Sequence, residues 1–307
     1  MSRRTLGHVV RFAVAATLIA WLTWSGRFDW RAFAAVEAGW LLAALVGCRL
    51  AATMVPLLRW SWLLRARGVP MGTAAALHCG FIGQFAGLAL PASIGMDGTR
   101  LWYATRRYPG RGAEVVSSLV VDRAVGMTAL LTMAVAGGLL FLPPAFAAAV
   151  LGASVLLAGT AAAAWAFLRL WRRIRLPWRL PQQVVEALAA YRGHAGTLGA
   201  AFALSCLGHA IGLAALWLAF GVLGVAAPVA AVAGAGPLVS LARELPLAPL
   251  GIGVTETAAA FAFGALGVDG GAEAIMLVRL VFVAIALGGG VAFLWPAARG
   301  ARCDSAN

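Results

Sequence analysis

In the run Val115–Leu142 only Asp122 and Arg123 carry charge; every other residue is apolar, small or a hydroxyl. As an α-helix this run would cross the roughly 30 Å of bilayer hydrocarbon, for which about 20 residues suffice. Similar blocks recur at Leu6–Gly26, Gly39–Leu58, Met71–Leu90, Ala145–Leu168, Thr197–Gly224, Pro228–Leu245, Pro249–Leu266 and Ala274–Trp295. No soluble core absorbs so many, and the fold class is an all-α polytopic membrane protein. Composition agrees. Charged residues make up 11% of the chain, against about 25% in soluble domains. A soluble enzyme, a DNA-binding domain and a disordered linker are all excluded.

The net charge of +13 would suggest nucleic acid in a soluble chain. Here the basic residues lie mostly between apolar blocks, where they orient spans and meet anionic headgroups, so no nucleic-acid partner is expected. All 24 are arginine. Without lysine there is neither a Walker A loop nor a pyridoxal Schiff base. Gly251-Ile252-Gly253 opens like a dinucleotide fingerprint, but Glu256 stands at the third glycine position. Cys48, Cys79, Cys206 and Cys303 are scattered, which indicates no disulfide framework and no zinc site. No cofactor or metal is expected. The richness in arginine, alanine, glycine and proline fits a GC-rich bacterial genome.

Charge asymmetry sets the expected orientation. Arg59, Arg65 and Arg67, then Arg106, Arg107 and Arg111, then the 169–179 arginines, and finally Arg299 and Arg302, should all be cytoplasmic. Met71–Leu90 and the run after Pro91 lie between the first two clusters, so they must enter and return on one side. Asp269 and Glu273 occupy a loop without arginine, which suits the outside. Six full spans, two re-entrant hairpins and cytoplasmic termini satisfy all of this, in a bacterial inner membrane. The first block reads as an uncleaved anchor, since no small-residue cleavage site follows it. Trp21, Trp24, Trp30, Trp40, Trp60, Trp62, Trp171, Trp178 and Trp295 fall near block ends, as an aromatic belt requires.

An internal repeat points the same way. Pro91-Ala-Ser93-Ile94-Gly95-Met96 is matched 158 residues later by Pro249-Leu-Gly251-Ile252-Gly253-Val254. Gly68-Val69 is matched by Gly224-Val225, and Val121-Asp122-Arg123 by Leu277-Val278-Arg279, both 156 residues on. The single membrane domain, 1–307, then divides into an anchor helix and amphipathic link (1–38), a first half (39–142), a connecting helix with a basic interfacial segment (143–196) and a second half (197–296). The halves should be inverted, as in many secondary transporters.

Proline and glycine break each hairpin. Such backbone is tolerated in a bilayer only beside protein or a water-filled cavity. A helix restarting near Ile94–Gly95 or Ile252–Gly253 would aim N-terminal amides at an anion, with Ser93 and Thr255 adding hydroxyls. Arg49, Asp97, Arg100, Asp122, Arg123, Arg243, Glu244, Glu256 and Arg279 lie within apolar blocks, where charge must face the interior and pair. One reading makes them structural pairs, such as Asp97 with Arg279 or Glu256 with Arg123. The other gives the arginines an anionic substrate, and five arginines against four acids favour it. Gln84 is expected to line the cavity. The pairs Gly83/Gly87 and Gly208/Gly212 suit close helix packing, while His78 and His209 read as core residues.

Gly83-Gln84-Phe85 with Leu90-Pro91-Ala-Ser93-Ile94-Gly95-Met-Asp97-Gly-Thr-Arg100, then Leu119-Val-Val-Asp122-Arg123-Ala-Val-Gly126, then Leu245-Pro246 with Gly251-Ile252-Gly253-Val254-Thr255-Glu256 and Arg279, resemble a known family. It is the flippase-like membrane domain of lysylphosphatidylglycerol synthase/flippase proteins. Ala92 and Met96 stand where glycine is commoner, and Thr255 where a basic residue is common, which leaves the headgroup open. With its end just after the last block, the chain is expected to be a stand-alone member without the soluble transferase domain.

The resemblance implies a lipid translocator for an anionic or modified lipid of aminoacyl, polyprenyl or hopanoid type, and not an enzyme. Its headgroup would sit at the midplane between the hairpins. The site residues would be Gln84, Ser93, Gly95, Asp97, Arg100, Asp122, Arg123, Gly251, Gly253, Thr255, Glu256 and Arg279. Arg100, Arg123 and Arg279 would contact phosphate, and the Gly95 and Gly253 loops would supply amides. A membrane-embedded lipid-modifying transferase, with Asp97 or Glu256 as base, is the alternative, as is a non-transporting partner of a separate lipid synthase. The sequence sets no oligomeric state.

Overall fold

The computed structural model describes residues 16–36, 39–89, 92–170, 179–244 and 251–294. Every regular element among them is helical: α1 (16–24), α2 (Trp40–Ala66), α3 (Thr73–Ala89), α4 (Ala92–Arg107), α5 (Gly112–Phe141), α6 (Ala147–Leu170), α7 (Arg179–Ala189), α8 (Ala195–Val222), α9 (Val229–Glu244), α10 (Val254–Gly264) and α11 (Gly271–Leu294). Five helices among the described residues are long and apolar enough to cross a membrane: α2, α5, α6, α8 and α11. The sixth expected span begins before residue 16, outside the described residues.

Four of the shorter helices, α3, α4, α9 and α10, have 17, 16, 16 and 11 residues, below the roughly 20 a span needs. They form two hairpins, α3–α4 and α9–α10. The breaks at 90–91 and 245–250 lie outside the described residues, and with them Leu90, Pro91, Leu245, Pro246 and Pro249. In the first hairpin Tyr108 Oη donates to the Pro70 carbonyl at 3.0 Å, so the chain leaves where it entered. Glycine sets its closeness. A Cβ on Gly95 would lie 2.7 Å from Gly87 Cα, and one on Gly83 would lie 3.0 Å from the Met96 carbonyl oxygen. The Gly83/Gly87 pair thus packs as expected. Gly208 does likewise against Val55, whereas Gly212 faces open space.

The halves run in opposite directions. α2 and α8 lie side by side, with Leu41 near Gly221, Val55 near Gly208 and Leu63 near Ala201. The packing also repeats. α3 packs on α11 as α9 packs on α5; α2 meets α5 as α8 meets α11; α2 meets α3 as α8 meets α9. Exchanging the halves returns the same neighbours. Their connections match too. Gly68 ends α2 at φ +72° and Gly224 ends α8 at φ +73°. The next amides close the same loop, Val69 N to the Leu64 carbonyl at 3.1 Å and Val225 N to the Phe220 carbonyl at 2.9 Å. These are Schellman-type stops, where a left-handed residue with no Cβ lets the last carbonyls be satisfied.

Two ends follow. Arg67 lies over the Tyr191 ring, and Tyr191 Oη donates to the Leu63 carbonyl at 3.0 Å, so the arginine-rich α2 terminus, α7 and the start of α8 share one end. Burial raises the Tyr191 phenol well above its usual range. At the other end the Asp29 amide donates to Glu273 Oε1 at 2.6 Å. A cavity of about 690 Å³ there is lined by Arg27, Asp29, Asp269, Glu273 and nearby backbone.

Trp21, Trp24, Trp30, Trp40 and Trp62 are exposed, as an aromatic belt demands. Trp171, Trp178 and Trp295 lie outside the described residues. Trp60 corrects the expectation: it is fully buried, and its indole N–H donates to Ser118 Oγ at 3.1 Å. Arg59 is a second correction. The charge pattern places it with the cytoplasmic arginines, but α2 continues past it to Ala66 and buries it.

Candidate functional site

Charged side chains gather in two clusters, one per half. In the first, Arg123 on α5 reaches Asp97 on α4, with Nε at 2.8 Å and Nη2 at 2.7 Å from Oδ2. In the second, Arg279 on α11 reaches Glu256 on α10, with Nε at 2.8 Å and Nη2 at 2.7 Å from Oε1. The two forks are the same contact made twice, by arginines 156 residues apart. The pairings suggested by the sequence, Asp97 with Arg279 and Glu256 with Arg123, are therefore overturned. Each acid binds the arginine of its own half, because the second arm of each hairpin packs on the last span of that half, α4 on α5 and α10 on α11.

The first cluster goes deeper. Arg59 Nε lies 2.7 Å from Asp122 Oδ1, and its Nη1 donates to Ser205 Oγ on α8 at 2.6 Å. Arg100 Nη1 lies 3.6 Å from Asp97 Oδ1 and 3.9 Å from Asp122 Oδ2, with its guanidinium over the Trp60 ring. Gln84 is buried on α3, and its Oε1 has no hydrogen-bond partner among the described residues. Ser93 lies in the first turn of α4; its side chain is outside the described residues.

In the second cluster Thr255 Oγ1 donates to the Gly251 carbonyl at 2.9 Å and contacts Arg279 Nη2. The Gly253 amide donates to Glu256 Oε2 at 2.8 Å. Gly251 and Gly253 have φ of +69° and +82°, which favours glycine at both. Gly253 thus ends in a cap for its own helix, with the amide meant for an anion taken by Glu256. Gly95 departs from expectation as well. α4 starts at Ala92, so Gly95 is already helical, and its missing Cβ makes room for Gly87.

The clusters differ in access. The Arg123 and Asp97 side chains are 48% and 25% exposed, those of Arg279 and Glu256 11% and 0%. Between them, His209 on α8 places Nε2 3.1 Å from the Gly126 carbonyl oxygen, and a Cβ on Gly126 would lie 3.0 Å from Arg59 Nη1. His209 is a hydrogen-bonded core residue, as expected. A second cavity, about 340 Å³ and apolar, opens between α2, α3 and α11. Neither cavity is the pocket expected between the hairpins, since α3 packs on α11 and α9 on α5.

Sequence reasoning missed Arg59 and Ser205. The signal for Arg59 was present: Trp60-Ser-Trp62-Leu-Leu64 separates it from Arg65, too long an apolar stretch for a helix that has already left the membrane. Ser205 gave none, as hydroxyls are common in spans.

The model of the lysylphosphatidylglycerol synthase TM region matches residues 8–290. The chain belongs to that family. The match runs from before α1 nearly to the end of α11, so both clusters and the repeat fall within the family's domain. No curated protein and no solved structure matches the chain. Membership in the lysylphosphatidylglycerol synthase TM-region family makes this a multi-pass membrane protein of a lipid-related class.

Proposed function

We propose that the protein is a lipid translocator of the bacterial inner membrane, carrying an anionic or modified lipid between leaflets, with the arginine-rich end and both termini in the cytoplasm. The observation that carries this reading is the pair of corresponding arginine–carboxylate forks on two oppositely running halves. In and beside the two clusters, on α2, α4, α5, α9, α10 and α11, six guanidiniums (Arg49, Arg59, Arg100, Arg123, Arg243 and Arg279) stand against four carboxylates (Asp97, Asp122, Glu244 and Glu256). This excess of positive charge suits an anionic headgroup, whose acyl chains remain in lipid. Transport is favoured over catalysis because arginines engage Asp97, Asp122 and Glu256, from which a general base would come. The membrane lipid is the direct partner, supplied by a separate lipid-modifying synthase.

The test is leaflet exchange of fluorescent phospholipids in proteoliposomes, read by dithionite quenching. Wild type should exchange anionic lipid. Arg123→Gln, which alters a half-exposed side chain, should lose most of that exchange at unchanged folded yield. Equal loss of exchange and yield would make the fork structural. Wild type exchanging no phospholipid, polyprenyl lipid or hopanoid would end the translocator reading.

A further inference from the structure

We propose that Arg49, Arg243 and Arg279 form an anion subsite that takes the phosphodiester of a membrane lipid, with an acyl chain in the adjoining apolar groove. The proposal rests on the translocator reading and says where the phosphate docks.

Arg49 lies in α2 with its guanidinium 4.9 Å from the centre of the Phe282 ring. Phe282 follows Arg279 by one helical turn, which puts the Arg49 and Arg279 guanidiniums on one face of α11. Arg279 Nη2 lies 3.5 Å from the Gly251 carbonyl oxygen. A Cβ on Gly251 would lie 3.1 Å from Arg243 Cγ, so Arg243 runs across the same glycine. Arginines from three helices, α2, α9 and α11, thus gather about Gly251 and Phe282.

Their compensation is incomplete. Glu256 serves Arg279, and Glu244 lies 3.7 Å from Arg243. Arg49 has no carboxylate or hydrogen-bond partner among the described residues, and its Nε is buried without one. The first cluster differs: Arg59, Arg100 and Arg123 all have a carboxylate within ion-pair reach. Holding an uncompensated guanidinium in a membrane helix is unfavourable, and one aromatic face recovers only part of that. A phosphodiester recovers more, since its oxygens match the guanidinium fork.

The groove selects a lipid over a free anion. Leu50, the next residue after Arg49, and Ile285, one turn beyond Phe282, line the apolar cavity of about 340 Å³ with Phe81 and Ile82. A headgroup at Arg49 would therefore find room for a hydrocarbon chain directly beside it.

The experiment is native mass spectrometry of the full chain in detergent, titrated separately with phosphatidylglycerol, diacylglycerol and inorganic phosphate. Wild type should bind phosphatidylglycerol at least about tenfold more tightly than either other probe. Arg49→Gln should weaken phosphatidylglycerol by about tenfold without lowering the melting temperature, because no partner is orphaned. Ile285→Trp should weaken it by filling the groove, while Arg111→Gln, at an exposed pair, should change nothing. Wild-type affinity in Arg49→Gln, a lowered melting temperature that accounts for its loss, or no binding by wild type would each overturn the subsite. Inorganic phosphate competing as well as lipid would overturn the lipid assignment. Arg49-dependent binding without vesicle exchange would keep the subsite and sink the translocator; exchange undiminished in Arg49→Gln would do the reverse.

Discussion

Arg59 bonds Asp122 at 2.7 Å with both side chains almost fully buried, and the same guanidinium reaches Ser205 across the boundary between the halves. One side chain thereby ties α2, α5 and α8 together.

Asp122→Ala removes the carboxylate and leaves Arg59 buried without it. Breaking a buried pair from one side costs about 3–5 kcal/mol. Removing the exposed Glu114 from its pair with Arg111 should cost less than about 1 kcal/mol. Unfolding in detergent, followed by circular dichroism against added dodecyl sulfate, measures both. Equal destabilisation by Asp122→Ala and Glu114→Ala would show that burial at Arg59 does not matter.

Arg279→Met strands Glu256, which has no exposed side-chain surface, and should lower folded yield sharply. Arg279→Met with Glu256→Met removes both charges and should recover most of it, since an apolar replacement for a buried pair is often neutral or stabilising. A double variant as unstable as the sum of the singles would mean that the partners act independently.

Gly95→Ala forces a methyl into Gly87 backbone, and overpacking of this kind costs about 1–3 kcal/mol. Gly98→Ala, three residues on in the same helix, meets nothing within 4 Å and should be harmless or stabilising. Thermal melts of the two variants decide. Similar melting temperatures would mean that α3 and α4 are not in backbone contact.

Gly68→Ala and Gly224→Ala each place a Cβ in the left-handed region, at about 1–2 kcal/mol apiece. Both sites have open space around them, so strain is the main effect, and the two losses should be alike. Asparagine should be tolerated better than alanine at both positions. A large loss at only one would show that the two helix ends are held differently.

The helical architecture was legible because a bilayer makes long apolar runs unambiguous, and the glycine pairs at 68/224 marked the same stop twice. The clusters were legible only as a set of residues. Charges inside apolar blocks announce that they must pair, but spacing along the chain does not say with whom. Asp97 and Arg123 meet because α4, the second arm of the first hairpin, packs on α5, a tertiary fact with no trace in the sequence. Gly95 misled for a related reason: a residue that lets backbone approach a ligand also lets backbone approach backbone, and here Gly87 takes the space.

The half-exposed Arg123–Asp97 fork and the enclosed Arg279–Glu256 fork also bear on direction. Closing the first and opening the second would yield the same set of helix neighbours, turned end for end. In the lipid translocator proposed above, that turned-round state would open toward the opposite leaflet.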